Sequence, residues 1–289
     1  MAVGWLSMKP LVALRVGFGL LALGSAWTAF TQQGGGLQPP PPLALVKVAE
    51  DLYSIEGSGG NVAVYLTDEG AIVIDDKFER NHDEILANVK KVTDKPVRYV
   101  LNTHHHGDHT GANAKMLGAG YEVLLHKNAR ANMVNGKMPG IPRIAFADEA
   151  QVVLGGKEVR AKHFGRGHTN GDAVVFFPAR RAIHTGDLMA GATPLIDYPN
   201  GGSVVEFLKT LDGILANDFD VVIPGHGAVQ KKADLQAYRD NFSKLVAAAR
   251  EQVRAGKSKE EIGKFMAANY GWGAMQARLS LDGMMAELK

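Results

Sequence analysis

Six consecutive positions, His104 to His109, carry four histidines and one aspartate in the run Thr103-His104-His105-His106-Gly107-Asp108-His109-Thr110. Imidazole and carboxylate are donors that divalent cations accept, so this H-x-H-x-D-H density points to metal chemistry. In an extended segment residues i and i+2 point the same way. His104 and His106 can therefore grip one ion, while Asp108 and His109, beyond the flexible Gly107, turn toward a neighbouring one. Three later positions complete the pattern: His168, Asp187 and His226 each follow a glycine, in turns where a strand would end and present a ligand. The chain contains no cysteine. Every ligand must then be imidazole, carboxylate, carbonyl or water, and two metal sites are expected.

The elements that must position these residues are legible from periodicity. Short runs at 52–55, 62–66 and 71–74, separated by glycine-rich and polar turns, predict hairpin strands. Ile85, Leu86, Val89 and Val92 follow helical spacing and stop before Pro96; Val97 to Leu101 is then a strand that runs straight into the histidine cluster. A short helix over 112–117, a strand over 121–125 and a helix over 127–134 establish a β-α-β rhythm. The second half repeats it, with strands at 151–154, 158–163, 173–177 and 181–184, a helix over 203–215 and a strand at 220–223 ending in Pro224-Gly225-His226-Gly227. From Ala233 onward Leu235, Tyr238, Phe242, Leu245, Val246, Ala249 and Val253 share one helical face, and Ser258-Lys259-Glu260-Glu261 forms a capping box for another helix. One strands-then-helix unit in each half suggests two similar layers packed face to face.

In order, H-x-H-x-D-H, then GxGHTxGD, then TGD, then PGHG, the chain resembles the metallo-β-lactamase-fold hydrolase superfamily over residues 45–230. The resemblance implies an α/β fold, a four-layer αββα sandwich with additional C-terminal helices and a site at one edge of the two sheets. It further implies His104, His106 and His168 on a first metal, Asp108, His109 and His226 on a second, and Asp187 bridging them. Two zinc ions suit this donor set, with iron or manganese as alternatives because a bridging carboxylate favours harder ions. The expected activity is attack of a metal-bound hydroxide on an ester, thioester, lactone or amide of a small molecule, with Asp108 orienting the nucleophile and no covalent intermediate. Antibiotic hydrolysis is the runner-up. β-Lactamases of this family often use cysteine where this chain has Asp187, and a lysine three residues on, where it has Ala190. A non-catalytic metal-binding or carrier module and a redox use of the site are the remaining alternatives.

Composition bounds the partners. The 289 residues are 46% hydrophobic, enough for a packed core, and a net charge of +2 implies no basic face for nucleic acid. Residues 1–30 read as a signal peptide or membrane anchor: Lys9 and Arg15 precede an apolar run and then the small residues Gly24-Ser25-Ala26. Export to the periplasm or medium is expected, with attachment through this segment as the alternative. A Gly/Pro-rich linker over 31–42 leads to a catalytic domain at 43–232 and C-terminal helices at 233–289; the composition sets no oligomeric state.

Around the ligands, His105 is expected to face away from the metals, and His82, His126, His163 and His184 to be surface or core residues, with His163 the understudy for His168. Asp75 and Asp76 at a strand end, with Thr169 and Asp172, are expected to support the ligand loops from behind. Three loops are expected near substrate: 57–61, 135–143 with Met138 and Ile141, and 191–202, where Tyr198 and Asn200 are the candidate substrate contacts.

Overall fold

The computed structural model describes Met1 and residues 41–289; the expected targeting segment and all but the end of the expected linker lie outside the described residues. No helix among the described residues is long and apolar enough to cross a membrane.

A first sheet runs in chain order: β1 (Ala44–Lys47), β2 (Leu52–Glu56), β3 (Val62–Thr67), β4 (Gly70–Ile74), β5 (Val97–Leu101), β6 (Glu122–His126) and β7 (Ile144–Phe146). Its first four strands form an antiparallel meander. From β4 to β7 the strands are parallel, joined by crossovers that carry α1 (His82–Lys90), α2 (Gly107–Thr110), α3 (Asn113–Gly118) and α4 (Lys127–Asn135). The second sheet has β8 (Glu149–Leu154), β9 (Lys157–Lys162), β10 (Val174–Phe177), β11 (Ala182–His184), β12 (Val221–Ile223) and β13 (Gln230–Lys231), ordered β13-β12-β11-β10-β9-β8. Only β11 and β12 are parallel in it, and α5 (Val204–Leu215) makes their crossover. The C-terminal segment adds α6 (Lys232–Arg254), α7 (Lys259–Tyr270), α8 (Ala274–Leu279) and α9 (Leu281–Glu287).

Side-chain alternation makes the four layers. On β3, β4 and β10 the residues Ala63, Tyr65, Ile72, Ile74, Val175 and Phe177 join the core between the sheets. Their neighbours Val62, Val64, Ala71 and Val73 pack outward, in the cluster that includes Ile85 and Val89 of α1 and Met116 of α3. Val174 and Phe176 face the other way, into the cluster formed with α5, α6, α7 and α9. Both faces of each sheet are covered, which is why the central strands read as continuous apolar runs. The strand and helix cores expected from periodicity are found, with ends displaced by a residue or two; β1, β7, β13 and the short α2 inside the ligand loop were not expected. Ser203 and Ser258 cap α5 and α7, each accepting the N–H three residues on.

An ionic clamp joins the sheets at the edge of the inner core. Asp51, in the β1–β2 turn, is buried and accepts from Lys157 of β9 and from Arg180 in the turn after β10. Burial pushes its carboxyl up, but the hydrogen bonds from Arg180 and Lys157 outweigh burial and hold it below its ordinary value of 3.8. A carboxyl lowered in the folded state contributes stability above that value and loses it as the pH falls. Asp51→Asn is expected to cost about 1–3 kcal/mol at neutral pH, as loss of hydrogen bonds between charged groups does. In denaturant titrations the gap between wild type and variant should close as the pH is lowered through the acid range.

Candidate metal centre

The ligand-bearing loops meet because they leave the same ends of the parallel strands. Asp75 follows β4, His104 lies three residues past β5, Asp187 three past β11, and His226 three past β12. Crevices beyond the carboxyl ends of parallel strands are where open α/β sheets place their sites.

All seven residues predicted as ligands converge. One ligand atom from each of His104, His106, His168 and Asp187 lies within a 4.8 Å group, and Asp108, His109 and His226 form a second such group. Asp187 faces both. Its Oδ2 is 3.8 Å from His168 Nε2 and 4.0 Å from His104 Nε2, while Oδ1 is 3.2 Å from His109 Nε2 and 3.4 Å from His226 Nε2. Asp108 Oδ2 closes the second group at 3.2 Å from His226 Nε2. His104, His109 and His168 are fully enclosed, whereas His106, Asp108 and His226 keep about a quarter of their side-chain surface open (23%, 26% and 27%), so the mouth lies on their side.

The rings are aimed from behind. His109 Nδ1 is 2.8 Å from Asp75 Oδ2, His106 Nε2 is 2.8 Å from Asp197 Oδ2, His168 Nδ1 is 2.7 Å from the Leu195 carbonyl, and His104 Nδ1 is 3.1 Å from Thr103 Oγ1. Each contact holds one ring nitrogen and turns the other inward, the usual arrangement behind a metal-binding imidazole. Asp75 also accepts from the Thr103 N–H and hydroxyl. It sits at φ 62°, a left-handed conformation that is strained for residues other than glycine and held here by these bonds; Lys77, at φ 59°, accepts the Gly111 N–H on its carbonyl.

Electrostatics divide the centre in two. Burial pushes His168 down to about 4 and His104 well below its ordinary value, so both are neutral imidazoles with a lone pair available. Burial also disfavours charge on His226, but Asp187 and Asp108 raise it to about 9; Asp187 and Asp75 raise His109 in the same way. Asp108 falls to about 2 because bonding to His226 and the His109 charge outweigh burial. The second group is thus a field that favours positive charge.

The donor set fits a pair of divalent cations. His104 Nε2 is buried with no hydrogen-bond partner, although such groups are otherwise almost always satisfied. Seven converging donors, five imidazoles and two carboxylates, suit borderline cations such as zinc.

Residues 57–61 bind the halves of the centre together. The Gly60 N–H donates to the Asp108 carbonyl at 3.0 Å, and buried Lys77 Nζ donates to the Gly60 carbonyl at 2.6 Å. Any Cβ on Gly60 would stand 2.1 Å from the His109 ring. The Asn61 N–H donates to the Gly225 carbonyl at 2.6 Å, and its amide donates to Pro224 and Gly227 carbonyls at 3.0 and 2.7 Å, straddling His226. Gly225 is equally constrained, since a Cβ there would lie 2.0 Å from Asp187 Oδ1.

The two expected substrate contacts, Tyr198 and Asn200, both have partners within the fold. Tyr198 gives its hydroxyl to Glu287 at 2.6 Å and its ring packs on Gly283 of α9, so it ties the 191–202 loop to the C-terminal helices. Asn200 spends its amide on Asp197 Oδ2 at 2.7 Å and supports the carboxylate behind His106. Ser280 bonds both backbone groups of Ile196, and Glu287 accepts from Ser203, fixing the same loop. His105 is buried and lies near His106 and Asp197, a grouping accounted for by the Asp197–His106 hydrogen bond. His126 and His163 stack at 4.1 Å on each other, and His184 donates to the Asn61 carbonyl and accepts from the Gly186 N–H. Asp172 accepts from the Thr169 N–H and hydroxyl in the turn that presents His168. Asp197, Asn61 and Lys77 are the supporting residues that local sequence did not single out: Asp197 and Asn61 act on ligand loops remote in sequence, Lys77 acts on the 57–61 loop, and no motif marks them.

Comparison with known proteins agrees with this geometry. The model of the metallo-beta-lactamase superfamily matches residues 55–226, more than half of the chain. The chain is 25% identical over 171 residues to the 2,4-dinitroanisole O-demethylase subunit alpha of Nocardioides sp. (strain JS1661), covering 56% of this chain and 50% of that one. It is 31% identical over 101 residues to the hydroxyacylglutathione hydrolase of Nostoc punctiforme, covering 32% of this chain and 35% of that enzyme. The chain therefore spans half or less of the length of these two relatives. A metallo-beta-lactamase from Pontibacter korlensis shares the fold with a TM-score of 0.64 at 19% identity, over 70% of this chain and 99% of that one. Fold, motif order and the converging donors give one answer: the chain belongs to the metallo-beta-lactamase superfamily, with divalent-metal ligand clusters at the ends of its sheets.

Proposed function

We propose that the chain is a dinuclear zinc hydrolase that cleaves an ester, thioester, lactone or amide bond of a small molecule. The observation that carries this reading is the carboxylate of Asp187, with one oxygen toward each group of imidazoles. His104, His106 and His168 would hold one cation, Asp108, His109 and His226 the other, and Asp187 both. Two such cations, when bound, lower the pKa of a shared water toward about 7 and withdraw charge from a substrate carbonyl.

The side chains supply the rest. Asp108 is ionised at neutral pH and partly open to solvent, so it can accept a hydrogen bond from the attacking water and fix its direction. His109 and Asp187 are buried and aimed, so they need no reorganisation during the reaction, which is how preorganised polar groups lower a barrier. The chain has no cysteine to serve as a nucleophile. A hydroxyacylglutathione hydrolase among the relatives supports thioesters within the substrate range.

Turnover of a panel of β-lactams, lactones, thioesters and phosphodiesters is expected for at least one acyl compound, to vanish with a chelator and to return with zinc. His106→Ala should bind less metal by elemental analysis and lose on the order of a thousandfold in kcat/KM, as when a preorganised stabilising group is removed; full activity in the metal-stripped protein would end the reading.

Asn61→Ala releases both carbonyls that flank His226. It is expected to weaken the second zinc by about ten- to a hundredfold, the usual cost of losing an outer partner of a ligand, and to leave the first in place. Calorimetric titration of the metal-free protein with zinc should show one tight and one weakened step in this variant.

A further inference from the structure

A cavity of about 560 Å³ opens beside the ligand loop, within the size range of small-molecule sites. Phe78, Met138 and Pro139 give it apolar walls, Arg80 and Lys115 bring positive charge, and Glu79 brings one negative charge. Gly107, the residue between His106 and Asp108, is part of its lining. The link to the metal centre is close: a Cβ on Gly59 would touch both the Phe78 ring at 3.1 Å and the Asp108 carbonyl at 3.2 Å.

The two cations are available for recognition. Neither Arg80 nor Lys115 has a carboxylate within 4.0 Å among the described residues. Arg80 lies over the Phe78 ring, 4.1 Å from its centroid, and donates from one nitrogen to Ser58 Oγ at 3.1 Å. That stacking holds the guanidinium in place and leaves other N–H donors of its fork free. Met138 is half-buried and its methyl group comes within 4.0 Å of where a Cβ on Gly107 would be, so the apolar wall continues to the ligand loop. Two cations against one acid suit a single negative charge, and Glu79 would oppose a polyanion.

We propose that this cavity is the recognition subsite for a substrate carrying a carboxylate at the end of an apolar arm, with Arg80 and Lys115 holding the carboxylate and Phe78 and Met138 the arm. To reach the centre the arm would pass Gly107, where a Cβ would meet only the Met138 methyl at 4.0 Å. The assignment rests on the hydrolase reading for its kinetics but not for its binding.

The test is a pair of chromogenic esters, mono-4-nitrophenyl adipate and 4-nitrophenyl hexanoate, together with calorimetric titration of the zinc-loaded protein with 4-phenylbutyrate and 4-phenylbutanol. In Arg80→Ala/Lys115→Ala the ratio of kcat/KM for the anionic over the neutral ester is expected to fall at least tenfold. Phenylbutyrate affinity should fall by a similar factor, with zinc content preserved and Arg80→Lys/Lys115→Arg recovering most of the preference. An unchanged ratio, or phenylbutyrate bound as tightly by the double variant as by wild type, would overturn the subsite, because the carboxylate would then be held by the metals alone. If neither ester is cleaved, that outcome falls on the hydrolase reading, and the phenylbutyrate titration still decides the subsite.

Discussion

A single buried carboxylate that must serve two sets of imidazoles organises this molecule. Asp187 can turn Oδ1 to one group and Oδ2 to the other only if both groups are brought to it from different directions, and the two sheets do this. The first sheet delivers the cluster from the end of β5, and the second delivers Asp187 and His226 from the ends of β11 and β12. Burying so many polar groups is unfavourable unless charge is balanced, and the field around His109 and His226 calls for positive charge. Cations bound to these clusters would offset that charge and tie the two sheets' ends together, so metal binding would couple to folding.

The support is asymmetric. On one side the imidazoles of His109 and His226 are governed from within the first 110 residues and the Asn61 clamp. On the other, His106 and His168 depend on Asp197 and the Leu195 carbonyl, both in the loop between β11 and α5. Ligands held from separate loops in this way leave those loops room to change specificity while the chemistry is kept.

Much of this was legible in sequence because it is local. Alternation on β3, β4 and β10, helical spacing on α1 and α6, and the H-x-H-x-D-H run are patterns within a few residues. Asp75 was readable from its place at the end of a strand. What escaped was set by distance: Asn61 meets Pro224 and Gly227, and His106 meets Asp197 91 residues away. Tyr198 shows the same limit from the other side. A tyrosine in a loop near the ligands suggests a substrate contact; that α9 supplies a glycine for its ring and Glu287 for its hydroxyl is not visible until the C-terminus has folded back. The short α2 escaped as well, because a helical turn inside a ligand loop carries no periodic signal.

That folding back changes what the last helices are for. Ser280 and Glu287 grip Ile196, Ser203 and Tyr198, and so brace the loop that aims His106 and His168. The match to the family model ends at residue 226. A chain cut there would retain all seven residues of the two clusters, yet the loop that points two of its histidines would have lost its brace.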